Sequence, residues 1–340
     1  MLDIKLSVLD QSPVHDGKDD KYGLEDTLKL AQLCDELGYH RYMLAEHHNS
    51  PGYASSCPEV MVNSVANVTK NIRVGSGGVM LNNHNTFKVA ETFNMLCALH
   101  GDRIDLGIGR ASGANYQTAQ ALHANNTQDY PEKAYELIGY LNENLPSNHQ
   151  FSDLVLTPSG VKAPPVYFLG SSDGSAKLAG ILGGGFILAL FIGTHERSNA
   201  IINEYKNNFR VTNVMKEPKA ILAVACIVAQ TKEEAKYIAS THTYWKLQAF
   251  TRYERDDLIS PKDLEDVINN LSPSDKRYYD ETMNTMILGT PKECKEEIIE
   301  LAKIYDVDEV MIVNVTYSFN DRIQTYKLLA KEFNLKTTKE

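Results

Sequence analysis

The run RYMLAEHHNS, residues 41–50, carries an apolar, strand-like stretch straight into a carboxylate and two imidazoles, Glu46, His47 and His48. An imidazole at the C-terminal end of a strand suits proton transfer near neutral pH. Successive strand residues point to opposite faces, so Ala45 and His47 share one side, Glu46 and His48 the other. A loop histidine held only by hydrogen bonds is the structural alternative. No third His or Cys stands at ligand spacing nearby, so no metal site is expected.

Three more stretches could do chemistry. IRVGSGGVML, residues 72–81, puts three glycines into a strand. Each weakens it by roughly 0.5–1 kcal/mol relative to Ala, so a bare surface for a flat ring, or tight packing at a barrel corner, must compensate. RIDLGIGRASG, residues 103–113, ends a strand at Arg110, whose guanidinium can pair with a phosphate or with a structural carboxylate. LGSSDGSAKLAG, residues 169–180, passes from a strand through Ser171, Ser172 and Ser175 into a helix. Those hydroxyls and the first-turn N–H groups suit an anion, or cap the helix and nothing more. The stretch lacks the G-K-[ST] of a nucleotide-phosphate loop and the G-x-G-x-x-G of a dinucleotide site.

These segments need elements to position them. Continuous apolar runs predict strands at Ile4–Asp10, Arg41–Ala45, Arg73–Leu81, Arg103–Arg110, Val166–Gly170, Phe186–Phe191, Ala220–Ala229 and Glu309–Asn314. Helical periodicity predicts Leu24–Leu37, Glu59–Thr69, Thr86–Leu99, Tyr130–Leu145, Gly174–Leu182, Glu196–Val211, Lys232–Phe250, Pro291–Tyr305 and Phe319–Phe333. Pro131 and Pro291 fall in first turns, with Asp129 and Thr290 near the caps. Eight such βα units predict an α/β chain closed into a single (β/α)8 barrel domain over residues 1–340. A doubly wound open sheet is the alternative. Residues 146–165, after the fourth strand, read as an excursion, and Thr251–Asn284, after the seventh, as a charged insertion that would act as a lid. In a barrel all four chemical segments lie at the strands' C-terminal ends.

The 340 residues are 43% hydrophobic and 23% charged, as in ordinary globular enzymes. A formal net charge of −10 disfavours nucleic acid and anionic membrane surfaces as partners. Five cysteines, far apart and without a C-x-x-C pair, suggest reduced thiols. The N-terminus lacks a signal-peptide pattern and no apolar run reaches the ~20 residues of a membrane span, so a cytoplasmic protein is expected.

Taken in order, LSVLDQSP, AEHH, IRVGSGGVML with NH just beyond it, KVAE, RIDLGIGRASG, LGSS…SA, LGTP and DEVMIVNV resemble the bacterial-luciferase-like flavin-dependent monooxygenases along nearly the whole chain. The resemblance implies a (β/α)8 barrel, homodimeric through helices after the second and third strands. It implies reduced FMN as co-substrate, delivered by a separate NAD(P)H:flavin reductase, and O2 as oxidant of a small organic substrate. By position it assigns His47 to the active-site histidine, Gly77 and Gly78 to a cis-linked pair beneath the flavin ring, and Arg110, Ser172 and Ser175 to phosphate contacts, with Ser171 an adjacent alternative. Related barrels use deazaflavin F420 for hydride transfer, and a non-catalytic flavin-binding protein is a third reading. The chain departs from the family pattern at Asn82 and Ser112, where prolines are common, at Gly183–Gly185, and at Phe191-Ile192-Gly193. The last two departures suggest an altered substrate side.

Overall fold

The computed structural model describes residues 4–124, 127–194, 196–254 and 256–336. Among them the strands are β1 (Lys5–Asp10), β2 (Arg41–Leu44), β3 (Arg73–Ser76), β4 (Val79–Met80), β5 (Ile104–Gly109), β6 (Val166–Gly170), β7 (Gly185–Ala189), β8 (Ala220–Val228), β9 (Ile287–Gly289) and β10 (Glu309–Val313). Pairing is parallel and follows β10-β1-β2-β3-β5-β6-β7-β8; β10 also pairs with β8, Glu309 opposite Ile221, and closes the ring. Helices separate the strands. The expected (β/α)8 barrel is therefore the fold.

Several local expectations need correction. The strand expected over Arg73–Leu81 is broken: β3 ends at Ser76, the Gly77-Gly78 peptide is cis, and pairing with β5 resumes at Val79 opposite Ile108. Backbone crowding gives the reason. A Cβ on Gly78 would lie 2.8 Å from the Gly107 carbonyl oxygen, and one on Gly107 would lie 2.2 Å from that of Ser76. The ladder bond is replaced by a side chain, since Ser76 Oγ donates to the Gly107 carbonyl at 2.7 Å and accepts from the Gly107 N–H at 3.0 Å. Second, β9 was not expected; it pairs with the upper half of β8, Cys226 opposite Ile287. Third, the helix expected to reach Phe250 ends at Leu247 and widens into a π-turn, Gln248–Arg252.

The charged insertion contains helices Pro261–Asn269 and Pro273–Asn284, each capped by a serine and opened by a proline; Arg255 lies outside the described residues. Leu264 and Tyr279 of these helices pack against Tyr244 and Leu247 on helix Lys232–Leu247. That explains why the last turns of this helix are buried all round. The expected helix Glu196–Val211 is shorter, Ala200–Asn208.

Inward residues alternate along the strands and sort by height. At the N-terminal end Arg41 bridges Glu309 at 2.9 Å and Asp105, while Arg73 holds Asp105 at 2.6 Å. Two residues further up, Leu9, Met43, Ile187, Ala223 and Met311 form an apolar plug. The outer faces of the strands pack with the helices into the main core.

One ion pair ties the closure to the C-terminal helix. Arg322, on Phe319–Phe333, donates to Asp10 at 2.5 Å and to the Asn314 carbonyl at 3.1 Å. Asp10, at the end of β1, also accepts from Tyr42 and from the Ser12 N–H. Both charges are fully buried. Burial alone would raise the Asp10 carboxyl, but Arg322, Tyr42 and the Ser12 amide hold it below its usual value. Removing one partner leaves a buried charge, so Arg322→Met is expected to cost about 3–5 kcal/mol in urea unfolding. A loss below about 1 kcal/mol would show that water or rearrangement compensates.

Candidate active site

The opening stretch resolves into two faces. Glu46 is buried on the outer side. Its carboxylate meets His48 Nε2 at 2.7 Å and His84 Nε2 at 3.1 Å, and it accepts from Asn83 Nδ2 at 2.7 Å and the Met80 N–H at 2.8 Å. Burial alone would raise this acid, but His48, His84 and the Met80 amide bring it down to about 2. Burial alone would lower His84, yet Glu46 raises it. Glu46, His48 and His84 are thus a structural cluster that joins β2 to the chain just past β4.

His47 faces the other way. Its Nε2 lies 2.6 Å from Gln11 Oε1, past the end of β1. With that oxygen accepting, the neutral ring carries its acceptor on Nδ1. The ring stacks on Tyr53, centroids 4.8 Å apart, and Tyr53 meets Trp245 edge-on at 4.7 Å. Trp245 is fixed by a 3.1 Å bond from its indole N–H to the Asp256 carbonyl. The half-buried imidazole therefore has a held tautomer and an aromatic backing. Sequence reasoning missed Gln11, Tyr53 and Trp245 as a set; only Gln11, within LSVLDQSP, lay in a stretch already singled out.

The remaining expected residues occupy neighbouring strand ends. Gly77 and Gly78 interrupt the third wall position, and a Cβ on Gly77 would strike Leu9 at 2.4 Å and Met43 at 2.8 Å. Arg110 follows β5 with an exposed side chain and makes no hydrogen bond or ion pair with the described residues; its backbone carbonyl accepts from Asn82 at 2.8 Å. Asn82 thus fastens the Arg110 loop. Ser112, the other proline departure, offers its carbonyl to Asn83 at 3.0 Å. Past β6, Ser172 caps helix Asp173–Ile181 in a reciprocal capping box with Ser175. Capping, the bland alternative, is what these hydroxyls do in the free chain, and it leaves the N–H groups of Asp173 and Gly174 without intrahelical acceptors. Arg197, not expected, reaches in from beyond β7 and donates to the Ser171 carbonyl at 3.2 Å, and its buried Nη1 has no hydrogen-bond partner among the described residues. Among the described residues no cluster of three or more His, Cys, Asp or Glu could hold a metal.

The wall order β1-β2-β3-β5-β6 makes these one arc: Gln11, His47, the diglycine, Arg110, then Ser171–Ser175. Two guanidiniums and a helix N-terminus suit a phosphate at one end, an imidazole suits proton transfer at the other, and backbone without side chains lies between. The Gly183–Gly185 departure belongs elsewhere. It leads into β7, whose first residue is Gly185, at the opposite end of the barrel, where Tyr205 donates to the Gly184 carbonyl at 2.9 Å. Only Phe191-Ile192-Gly193 lies at the mouth.

This arrangement has relatives. The profile of the luciferase-like monooxygenase family matches residues 4–307. N-acetyl-S-alkylcysteine monooxygenase of Bacillus subtilis (strain 168) is 34% identical over 332 residues, 96% of this chain and 97% of that one. The crystal structure of apo-MsnO8 superposes with a TM-score of 0.87 at 29% identity, covering 98% of this chain and 99% of that one. At 17% identity, where only fold is compared, the oxygenating constituent of 3,6-diketocamphane monooxygenase from Pseudomonas putida, in complex with FMN, gives a TM-score of 0.72 over 97% of both chains. The chain belongs to the luciferase-like monooxygenase family. It is accordingly an oxidoreductase of the monooxygenase kind.

The Glu46 cluster makes a stability prediction. The folded carboxyl titrates near 2 against an ordinary 4.5, so its contribution is complete above about pH 4.5 and is lost as pH falls through about 2. Glu46→Gln should cost about 2–3 kcal/mol near pH 7, and chemical denaturation at stepped pH should show the gap narrowing below about 4. A pH-independent gap would mean that Glu46 acts through shape alone.

Proposed function

We propose that this enzyme is a two-component monooxygenase that takes reduced FMN from a separate NAD(P)H:flavin reductase and uses O2 to oxygenate a small organic substrate. The observation that carries this reading is the arc at the barrel mouth: anion-binding groups, a side-chain-free floor and an oriented histidine on five consecutive wall positions. Arg110, Arg197 and the first-turn amides after Ser172 would hold the FMN phosphate. The Gly77-Gly78 backbone would underlie the ring, where the Cβ of any other residue would collide with Leu9, Met43 or Gly107. When bound, reduced FMN supplies the two electrons that allow one oxygen atom of O2 to enter the substrate while the other leaves as water.

The chain's own groups do the rest. His47 would take up and return a proton at Nδ1, its Nε2–H held by Gln11 Oε1 and its ring kept in register by Tyr53. Tyr53 and Trp245 would exclude water from the reacting side. The part of the insertion nearest the mouth is the stretch just past the π-turn, where Leu258 packs with Tyr53 and Trp245; that stretch, rather than the two helices beyond it, would act as the lid. Val60 and Val68 on helix Pro58–Val68, with Met95 and Leu99 on helix Thr86–His100, expose apolar side chains and support a homodimer through these helices. No helix among the described residues is long and apolar enough to cross a membrane.

Two measurements test the reading. Arg110→Ala should weaken FMN binding by about tenfold or more while leaving riboflavin binding unchanged, because only FMN carries the phosphate. Equal losses for both would remove Arg110 from the phosphate site, and tighter binding of F420 than of FMN by the wild-type chain would overturn the cofactor. With a flavin reductase, NADH and FMN present, His47→Ala should lower product formation by about 10²–10⁴-fold at unchanged FMN affinity. Unchanged turnover would deny His47 a catalytic role.

A further inference from the structure

Lys246 lies in the last turn of helix Lys232–Leu247 and is 4% exposed. Its ammonium makes one hydrogen bond, to the Phe191 carbonyl at 2.6 Å, and no ion pair with the described residues. Phe191 is the mouth residue just past β7, and its ring packs against the apolar barrel plug that contains Leu9 and Met43. The residue before Lys246 is Trp245, the outer member of the ring series that backs His47. The ammonium therefore sits at the mouth residue past β7, on the helix that also carries the outer ring of the His47 backing. Its position relative to the FMN arc matters as well. Phosphate-binding groups follow β5, β6 and β7, whereas Lys246 descends on the segment after β8.

Burying an ammonium without a carboxylate is costly, and proteins place buried charges beside partners. Among the described residues no carboxylate pairs with Lys246; its contacts are the Phe191 carbonyl and the Phe191 ring, whose centroid lies 6.0 Å from the ammonium. His242, one turn earlier, is also buried and is driven toward its neutral form by burial and by Lys246 itself, so it adds no negative charge. Burial pushes the lysine down to about 7, as a cation lacking a counter-ion requires. Among the described residues the protonated form has one hydrogen-bond acceptor, the Phe191 carbonyl, for its three N–H donors.

We infer that Lys246 is the recognition group for a negatively charged substrate, and that the proposed monooxygenase acts on a small organic carboxylate whose anionic end completes this buried cation. The inference rests on the monooxygenase reading for the reaction but not for the binding. A carboxylate at the ammonium would point the rest of the molecule along Phe191 toward His47 and the diglycine floor. An uncharged analogue would leave the ammonium without its partner, a penalty that discriminates more sharply than a missing methylene.

The test uses N-acetyl-S-benzylcysteine and its methyl ester, which differ by one charge. Binding is read by calorimetry on the FMN-loaded enzyme and by the emission of Trp245, the chain's single tryptophan, on the flavin-free protein. The acid should bind about tenfold or more tightly than the ester. Lys246→Met should abolish that preference, Lys246→Arg should keep most of it, and neither should change FMN affinity. Equal binding of acid and ester, a preference that survives Lys246→Met, or no binding of the acid to protein that takes up FMN normally would each overturn the inference. Failure of FMN to bind while Trp245 still reports the charge preference would instead overturn the cofactor reading and leave the anion site standing.

Discussion

Glu46 is the constraint on which the mouth of the barrel depends. One buried carboxylate collects His48 from its own loop, and the Met80 amide, Asn83 and His84 from the chain past the diglycine break. Asn83 then reaches on to Ser112, and Asn82 beside it to the Arg110 carbonyl. Three loops that share no regular pairing are thus fixed to one another through a charge that cannot leave without exposing four donors. His47 gains its orientation from this arrangement, because its two neighbours in sequence are held on the opposite side of the chain.

The wall beneath is shaped by what is absent from it. β3 and β5 approach so closely that Gly75, Gly78 and Gly107 have no room for a Cβ, and a serine hydroxyl replaces a ladder bond. Below the apolar plug, Arg41, Arg73, Asp105 and Glu309 neutralise one another at the barrel's closed end. Charges at that end are paired within the chain. At the open end Glu46 and Asp10 are likewise paired within the chain, whereas Arg110 and Lys246 form no ion pair with the described residues.

Much of this was legible in the sequence. Continuous apolar runs and capped helices gave the barrel, and the final helix was expected at Phe319–Phe333, where it lies. The alternation of faces across Ala45–His48 placed Glu46 and His48 together, opposite His47. What could not be read were contacts between remote segments. Gln11 and Tyr53 meet His47 only through barrel closure, and β9 is three residues long, too short for any period to show. Lys246 was not singled out in the sequence, because its contact is with Phe191, 55 residues away in the chain. Asn82 and Ser112 looked like departures from a family pattern, yet the first holds the Arg110 loop by its side chain and the second offers Asn83 its carbonyl.

The forked edge of β8 has a consequence for how this architecture can change. Its lower half carries the bonds to β10 that shut the cylinder, while its upper half carries β9 and, with it, the whole insertion. Lengthening, trimming or exchanging the insertion between β8 and β9 leaves every bond from β8 to β10 in place. A lineage can therefore remodel the wall that meets its substrates without renegotiating the stability of the cylinder that holds its cofactor.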